Sequence, residues 1–345
     1  MAFKKLKVKV GQVTGTHTNF PTLIQPSLIT GLGSITLAEA QSARFYSDVG
    51  KTTEIAREIV SADEIHVKVT SMEALAEIWM DYDGIRADYA TTNTYGAEAV
   101  WADYAGVWHL NSVVDSAGNN ADLSTFGGIT VGGYSASLPF GGNATDFDGS
   151  NDYLTAPDSA FTNVGTGDFT TQAWIRPNVI QFQPYFVKGG RTGGEDSYAQ
   201  DFYNISGNGR FGFLLQDTSS GFTNFIPTTN YSVNQWYYHT TTFDRSASGT
   251  VYIDGSSIGS QSLSSETGDV GGTDPLSFGI RRPSSPISFL DGQLKELRLL
   301  KSVLSANWIT TEYNNQNANG SFWEATDAGG GAAAQAARRG VIMMM

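Results

Sequence analysis

Seven short runs rich in apolar and aromatic residues recur between residues 105 and 300: AGVWHL, FTTQAWI, RFGFLL, WYYHTTTF, TVYIDG, LSFGI and LKELRLL. Each is too short for an ordinary helix, and β-branched or aromatic side chains suit a pleated surface. Turn signals separate them: SGNG at 206–209, Asp254-Gly255 and Asp291-Gly292. Short strands punctuated by Gly-rich turns predict a two-sheet sandwich or jelly roll. The 39 glycines, 12% aromatic residues and only 16% charged residues point to the same all-β class.

The first hundred residues are written differently. The run KLKVKV alternates Lys with apolar residues, which is the period of a strand with one wet face. ARFYSDVGKTTEIAREIV at 43–60 reads as two strands around DVGK, and HVKVT at 66–70 and AEIWMDYDG at 76–84 as further strands. Short helices are predicted at 36–43 and 71–76. The apolar positions expected inside this N-terminal β-sandwich are Val8, Val10, Phe20, Leu23, Ile24, Phe45, Ile55, Val67, Val69, Ile78 and Met80. A helix is predicted from LSANWITTEYNNQ, with Ser305 as its N-cap. The domain division is therefore 1–101, 102–316, and a Gly/Ala-rich tail at 317–345 whose opening Gly run suits a flexible linker.

A formal net charge of -13 opposes phosphate backbones and anionic bilayers, so no nucleic-acid or membrane partner is expected. The absence of cysteine excludes disulfides and thiolate metal sites. MAFKKLKVKVGQVTG lacks the apolar stretch of a secretory signal, and no run approaches a membrane span. The chain is thus expected to be made in the cytoplasm and to be soluble.

Residues 104–316 resemble a laminin-G-like domain of the concanavalin A-like jelly-roll superfamily. The matching runs stand in family order: YAGVWHLN, VDSAGNNADL, DFDGSNDYL, GDFTTQAWIRP, FVKGG, GNGRFGFLL, NQWYYHTTTFD, GTVYIDGSSIG, PLSFGIRR and FLDGQLKELRLLKSVLSANWITTEYNN. Residues 4–100 resemble a bacterial and phage domain of uncharacterised function that often precedes such a module, through KLKVKV, NFPTLIQ, RFYSDVGKTTEIAREI and AVWADYAGVWHLN. One departure matters. The family's usual acidic pair appears here as GQLKEL, with Leu294 and Lys295 before Glu296, which removes a calcium ligand at the first acidic position.

DFDGSNDYL at 146–154 does not fit an EF-hand, since Gly149 comes too early and no Glu closes the loop. It reads first as strand–turn–strand. No cofactor is expected to be required, and a single structural Ca2+ at the sandwich rim is the alternative, with Asp115, Asp148 and Asp152 as ligands. No E-x-D-x-x-E run exists to line a cleft with carboxylates, and Glu195 and Asp196 are adjacent in a loop, so the chain is expected not to be an enzyme. His17, His66, His109 and His239 lack metal-site spacing and are expected to be structural. Trp101, Trp108, Trp174 and Trp236 are expected in the core. For glycan binding, which uses aromatic faces beside amides and carboxylates, the candidates are Tyr185, Tyr198, Tyr203, Phe222 and Tyr231, near loops rich in Asn, Gln and Ser. Arg338 and Arg339, between an Ala-rich segment and VIMMM, make the tail a candidate docking peptide for a larger assembly, with a disordered end as the alternative.

The resemblance implies a non-catalytic virion protein: a tail fibre, a receptor-binding protein or a head decoration. Its partners would be other virion proteins or copies of itself, and host surface carbohydrate. Two rivals stand beside it: a lectin or adhesin on a bacterial surface, and a polysaccharide hydrolase.

Overall fold

The computed structural model describes residues 2–135, 142–189, 197–217, 221–281 and 287–328. The chain divides into two compact units, Met1–Val100 with Asn314–Met345, and Trp101–Tyr313. Among the described residues no helix is long and apolar enough to cross a membrane.

The first unit begins with β1 (Ala2–Val8), β2 (His17–Ile24) and helix α1 (Leu37–Ser42). It continues with β3 (Arg44–Tyr46), β4 (Glu54–Ile55), β5 (Arg57–Ser61), β6 (Glu64–Met72), β7 (Glu77–Tyr82) and α2 (Ala97–Val100). α1 starts at a capping box: Thr36 accepts from the Glu39 N–H, and the Glu39 carboxylate accepts from the Thr36 N–H. Alternation in KLKVKV buries Leu6 and Val8 and leaves Lys5, Lys7 and Lys9 partly wet. Val10, expected in this core, is 81% exposed. β1 ends at Val8, and Gly11 at φ 80 turns the chain away. The helix predicted at 71–76 does not form. Ser71 and Met72 pair with Thr18 and His17 instead, and Leu75 sits at φ 64 in the turn to β7.

The second unit opens with β8 (Gly106–Trp108), β9 (Ser124–Phe126), β10 (Thr145–Asp148), β11 (Tyr153–Ala156) and β12 (Phe169–Pro177). β13 (Gln183–Lys188), β14 (Ser197–Ile205), β15 (Asn208–Asp217), β16 (Gly221–Phe225) and β17 (Tyr237–Phe243) follow. β18 (Ser248–Ile253), β19 (Ser256–Ser262), β20 (Leu276–Phe278) and β21 (Asp291–Leu300) complete its strands. One seven-stranded sheet runs β10-β21-β12-β17-β18-β19, with β8 also on β21; the other runs β16-β15-β14-β13-β20-β11-β9. Both are antiparallel, and they pack face to face. Phe169 stacks on Phe243 at 4.2 Å and meets Tyr198 of the opposite sheet at 4.7 Å, and Phe213 meets Phe243 at 5.1 Å. Such aromatic pairs add about 0.5–1.5 kcal/mol each to their area burial.

Helix α3 (Ala306–Asn317) starts where predicted, with the Ser305 hydroxyl accepting the Trp308 N–H at 3.2 Å. Its residues up to Tyr313 cover the outer face of the first sheet, where Trp174 and Tyr313 stack. Buried there, Arg298 donates to Glu296 at 2.6 Å and to Glu312 at 2.5 Å. Burial alone would strip the guanidinium of its charge, but the two carboxylates hold its pKa above the usual value.

The C-terminal segment corrects the expected domain division. Instead of a free tail from 317, α4 (Asn319–Phe322) and β22 (Trp323–Asp327) return to the first unit, where β22 pairs with β1 from Val8↔Trp323 to Lys4↔Asp327. Trp323 is fully buried and donates its indole N–H to the Leu23 carbonyl at 3.3 Å. A buried Trp on a five-residue strand outweighs the Gly-rich composition that follows. Arg338 and Arg339 lie outside the described residues.

Candidate functional site

DFDGSNDYL is a tight turn that carries the chain from one sheet to the other, β10 to β11; the two strands do not pair with each other, so it is not a hairpin. Phe147 points into the core, while Asp146 and Asp148 face outward. The Asp148 carboxylate accepts the N–H groups of Ser150 at 2.8 Å and Asn151 at 3.2 Å, and these hold its pKa below the usual carboxylate range, the Ser150 N–H contributing most. Asp152 accepts from the Asp148 N–H at 3.3 Å. Burial, then the nearby Asp148 charge, pushes Asp152 the other way. Gly149, at φ 74, lies so close to Asp291 that a Cβ there would meet the Asp291 Cβ at 2.9 Å. These are the contacts of a tight turn, as expected.

Asp115 belongs to a different loop. It is buried, and its two oxygens accept four backbone N–H groups, from Val107 and Ala117 at 3.0 Å, Asn119 at 3.1 Å and Ala121 at 3.4 Å. A carboxylate so engaged organises the loop from β8 onward. Asp115, Asp148 and Asp152 therefore do not act as one ligand set. At the position of the family's acidic pair, Leu294 is core, and Lys295 and Glu296 are buried inside β21.

The aromatic candidates are corrected by strand parity. Tyr185 and Tyr198 are fully buried between the sheets, Tyr185 bonded to His239 and Tyr198 donating to the Thr162 carbonyl at 3.2 Å. Tyr203 is buried on the opposite face of β14, with its hydroxyl 2.6 Å from Asp201 and 2.7 Å from Asn224. Tyr231 is half-buried edge-on against Phe211 and Tyr237, and burial raises its pKa to about 12. Tyr185, Tyr198 and Tyr203 therefore present no open ring face. The Phe222 side chain and the residues Glu195 and Asp196 lie outside the described ones. His239 and His109 are buried, the latter 2.5 Å from Glu296, and Trp101, Trp108 and Trp174 are core while Trp236 is half-buried.

A different aromatic group is open. On β11, Leu154 and Ala156 face the core, so Tyr153 and Thr155 face out. Tyr153 pairs with Phe126 of β9, the last strand of its sheet, and the rings stack at 4.3 Å with an interplanar angle of 1°. Phe126 is 39% exposed with one face on Tyr153, which leaves the other face to solvent. Phe289 adds a third ring, 6.4 Å from Tyr153. The 149–152 turn packs against Gly127, the residue after Phe126: a Cβ there would lie 2.4 Å from the Asn151 carbonyl and 2.6 Å from Asp152 Oδ1. On the other sheet a polar chain crosses β12, β21 and β10. Arg176 donates to Gln293 at 2.6 Å and Asn178 at 2.9 Å, Asn178 to Asp291 at 2.9 Å, and Gln293 to Asp146. A flat apolar ring bordered by oxygen acceptors and amides suits a ligand with both an apolar face and hydroxyls. Phe126 was not among the aromatics singled out in the sequence. Its only signal is a large aromatic directly before two glycines.

A second depression, of about 390 Å³, is lined by Thr166, Gly167, Asp168, Arg245, Ser246 and Thr267. Arg245 is engaged with the carbonyls of Glu266 and Gly268, so its role there is to tie loops together.

Residues 148–310 match the family model of the concanavalin A-like lectin/glucanases superfamily. The fold of the second unit is accordingly a concanavalin A-like jelly-roll sandwich. A comparison with curated proteins finds no match. Among solved structures, the binding domain of Paraclostridial Mosquitocidal Protein 1 is similar at 17% identity and a TM-score of 0.48, over 61% of this chain and 52% of that one. The botulinum neurotoxin serotype D ligand binding domain in complex with N-acetylneuraminic acid is similar at 18% identity and 0.49, over 64% and 53%. Domain 4 of AbnA, an extracellular arabinanase from Geobacillus stearothermophilus, in complex with arabinotriose, is similar at 15% and 0.46, over 60% and 97%. The match thus spans about half the length of the two toxin domains.

Proposed function

We propose that this chain is a non-catalytic binding module on the surface of a phage particle, holding host-surface glycan on the Phe126–Tyr153 rim. The observation that carries the ligand class is the open face of Phe126 on an edge strand, beside the Asn151 and Asp148 turn. Pyranose rings present C–H faces that stack on such a surface while their hydroxyls bond to the border. The phage setting is supported by the likeness of residues 4–100 to a domain found before such modules in bacteria and phages. No cofactor is required by this reading. A catalytic role has less support: Asp148, exposed at the turn, is held ionised by backbone N–H groups and is a poor proton donor.

The test is a glycan array probed with the purified chain and with Phe126→Ala, paired with electron microscopy of labelled particles. Binding by the wild type that falls at least tenfold in the variant is expected, with label on virions. No bound glycan, or equal binding by both proteins, overturns the ligand class. Label on bacterial cell surfaces instead of particles selects the adhesin, and turnover of an array glycan selects the hydrolase.

A further inference from the structure

We infer that the first unit carries a platform of its own for neutral saccharide, on the outer face of the sheet β22-β1-β7-β3-β4 and centred on Trp79 and Tyr46. It is separate from the Phe126–Tyr153 rim and does not rest on it. Period-two alternation builds it. In β7, Ile78 and Met80 are buried, so Glu77, Trp79 and Asp81 point the other way. In β1, Leu6 and Val8 are buried and Lys5 and Lys7 face out; in β3, Phe45 is buried and Tyr46 faces out. Register then sets these side chains in a row. Trp79 stands directly opposite Lys5 on one flank and Tyr46 on the other, and Tyr46 directly opposite Glu54. Both aromatic side chains are partly exposed. Among the described residues no ring stacks on either, and no group accepts the indole N–H of Trp79.

The charges of this face are paired with each other. Lys5 bonds to Glu77 at 3.1 Å, Lys51 to Asp81, and Arg86 to Asp81 at 3.2 Å and Asp83 at 3.0 Å. Arg44 lies 3.8 Å from Glu54, and Lys7 stands in register between Glu77 and Glu324. Toward Asp81 the face is closed: Tyr89 lies over Arg44 at 3.9 Å and donates its hydroxyl to Glu54 at 2.8 Å, and Lys51 covers the Phe3 ring at 4.1 Å. The rows through Trp79 and Glu77 stay partly open. Paired charges leave little net field to draw a polyion. The centre of a protein–protein patch is depleted of Lys, Glu and Asp, yet here Lys5 and Glu54 flank the two aromatics directly. A neutral saccharide fits both facts. Its C–H face stacks on the indole, and its hydroxyls donate to Glu77 and accept from Lys5 and the indole N–H.

The experiment uses the full chain labelled with fluorotryptophan at its seven tryptophans, the Trp79 resonance being assigned from Trp79→Phe. Neutral hexasaccharides of glucose, xylose, mannose and N-acetylglucosamine are titrated into the Phe126→Ala chain, so that the rim does not contribute. The expected result is that at least one of them shifts the Trp79 resonance. Trp79→Ala in the same background should weaken its binding by about tenfold or more. Affinity should change little between about 50 and 500 mM salt, since stacking is not screened. The resonance is read without removing the residue, so a Trp79→Ala chain that fails to fold does not blunt the test. No shift with any of these sugars overturns the inference, as does equal binding after Trp79→Ala. Self-association of the unliganded chain that Trp79→Ala abolishes, read by sedimentation, makes the face a contact between copies and overturns it too. Binding that Phe126→Ala alone removes entirely leaves the rim reading intact and sinks this one.

Discussion

The second unit holds two aromatic groups of similar composition and opposite fate. Phe169, Tyr198, Phe213 and Phe243 interlock between the sheets, each almost wholly buried. Phe126 and Tyr153 stack on each other at a sheet edge, Phe126 39% exposed and Tyr153 partly so, with Phe289 tilted against Tyr153. Phe126 and Tyr153 sit in strands, as the core rings do. The difference is parity and position. A residue one place along a strand faces the other way, and only a terminal strand leaves a ring face uncovered. Aromatic richness in a sandwich therefore says little about binding until the register is known.

Four experiments sharpen this contrast. The largest effect is expected in the core: Phe169→Ala removes a ring packed on Phe243 and Tyr198 and should cost about 3–5 kcal/mol, read as a lower denaturant midpoint. A loss below 1 kcal/mol would mean that the interior packs more loosely than described. Next comes Asp115→Ala, which leaves four loop N–H groups without their acceptor and should cost about 3 kcal/mol. Asp115→Asn, which keeps one acceptor oxygen, should recover part of that.

The third is a pH effect. Burial pushes the His239 imidazole down to about 3 from its ordinary 6.5. A base whose folded pKa lies below its unfolded value binds a proton more readily when unfolded. Stability is then complete above pH 6.5 and falls as pH drops toward the folded pKa. Between pH 6.5 and 5 the loss should be about 2 kcal/mol, at about 1.4 kcal/mol per unit. Chemical denaturation across that range should show the slope, and His239→Gln should flatten most of it. An unchanged slope in the variant would move the titration to another group. The smallest stability effect belongs to the rim. Phe126→Ala should alter the unfolding free energy by less than about 1 kcal/mol while abolishing stacking-dependent ligand binding. A large loss of stability there would make the rim structural after all.

Much of the fold was legible in the sequence. The strands FTTQAWI, WYYHTTTF and LKELRLL appear as β12, β17 and β21, and the Ser305 cap starts α3 as predicted. Local chemistry sufficed for these, because each run carries its own period and its own stop. The candidate site was barely legible. Of the aromatics chosen from loop-like surroundings, Tyr185, Tyr198 and Tyr203 are buried, and Tyr231 packs on its neighbours. Tyr185 is drawn inward by the irregularity between Pro184 and Phe186, which no spacing rule announces. The tail was misread for a related reason. SFWEATD looks like the start of a linker until β1 is seen to need a second neighbour.

From the sequence alone follow the all-β class, the order of most strands, and the tight turn at DFDGSNDYL, since alternation and turn chemistry are properties of neighbours along the chain. Tertiary structure decided which strands close each sheet, that β10 and β11 enter different sheets instead of pairing, that Trp323 returns to β1, that Asp115 orders its own loop, and that Phe126 and Tyr153 stack at a sheet edge. Those outcomes depend on pairings between residues far apart in the chain, and burial is settled only when both partners are in place.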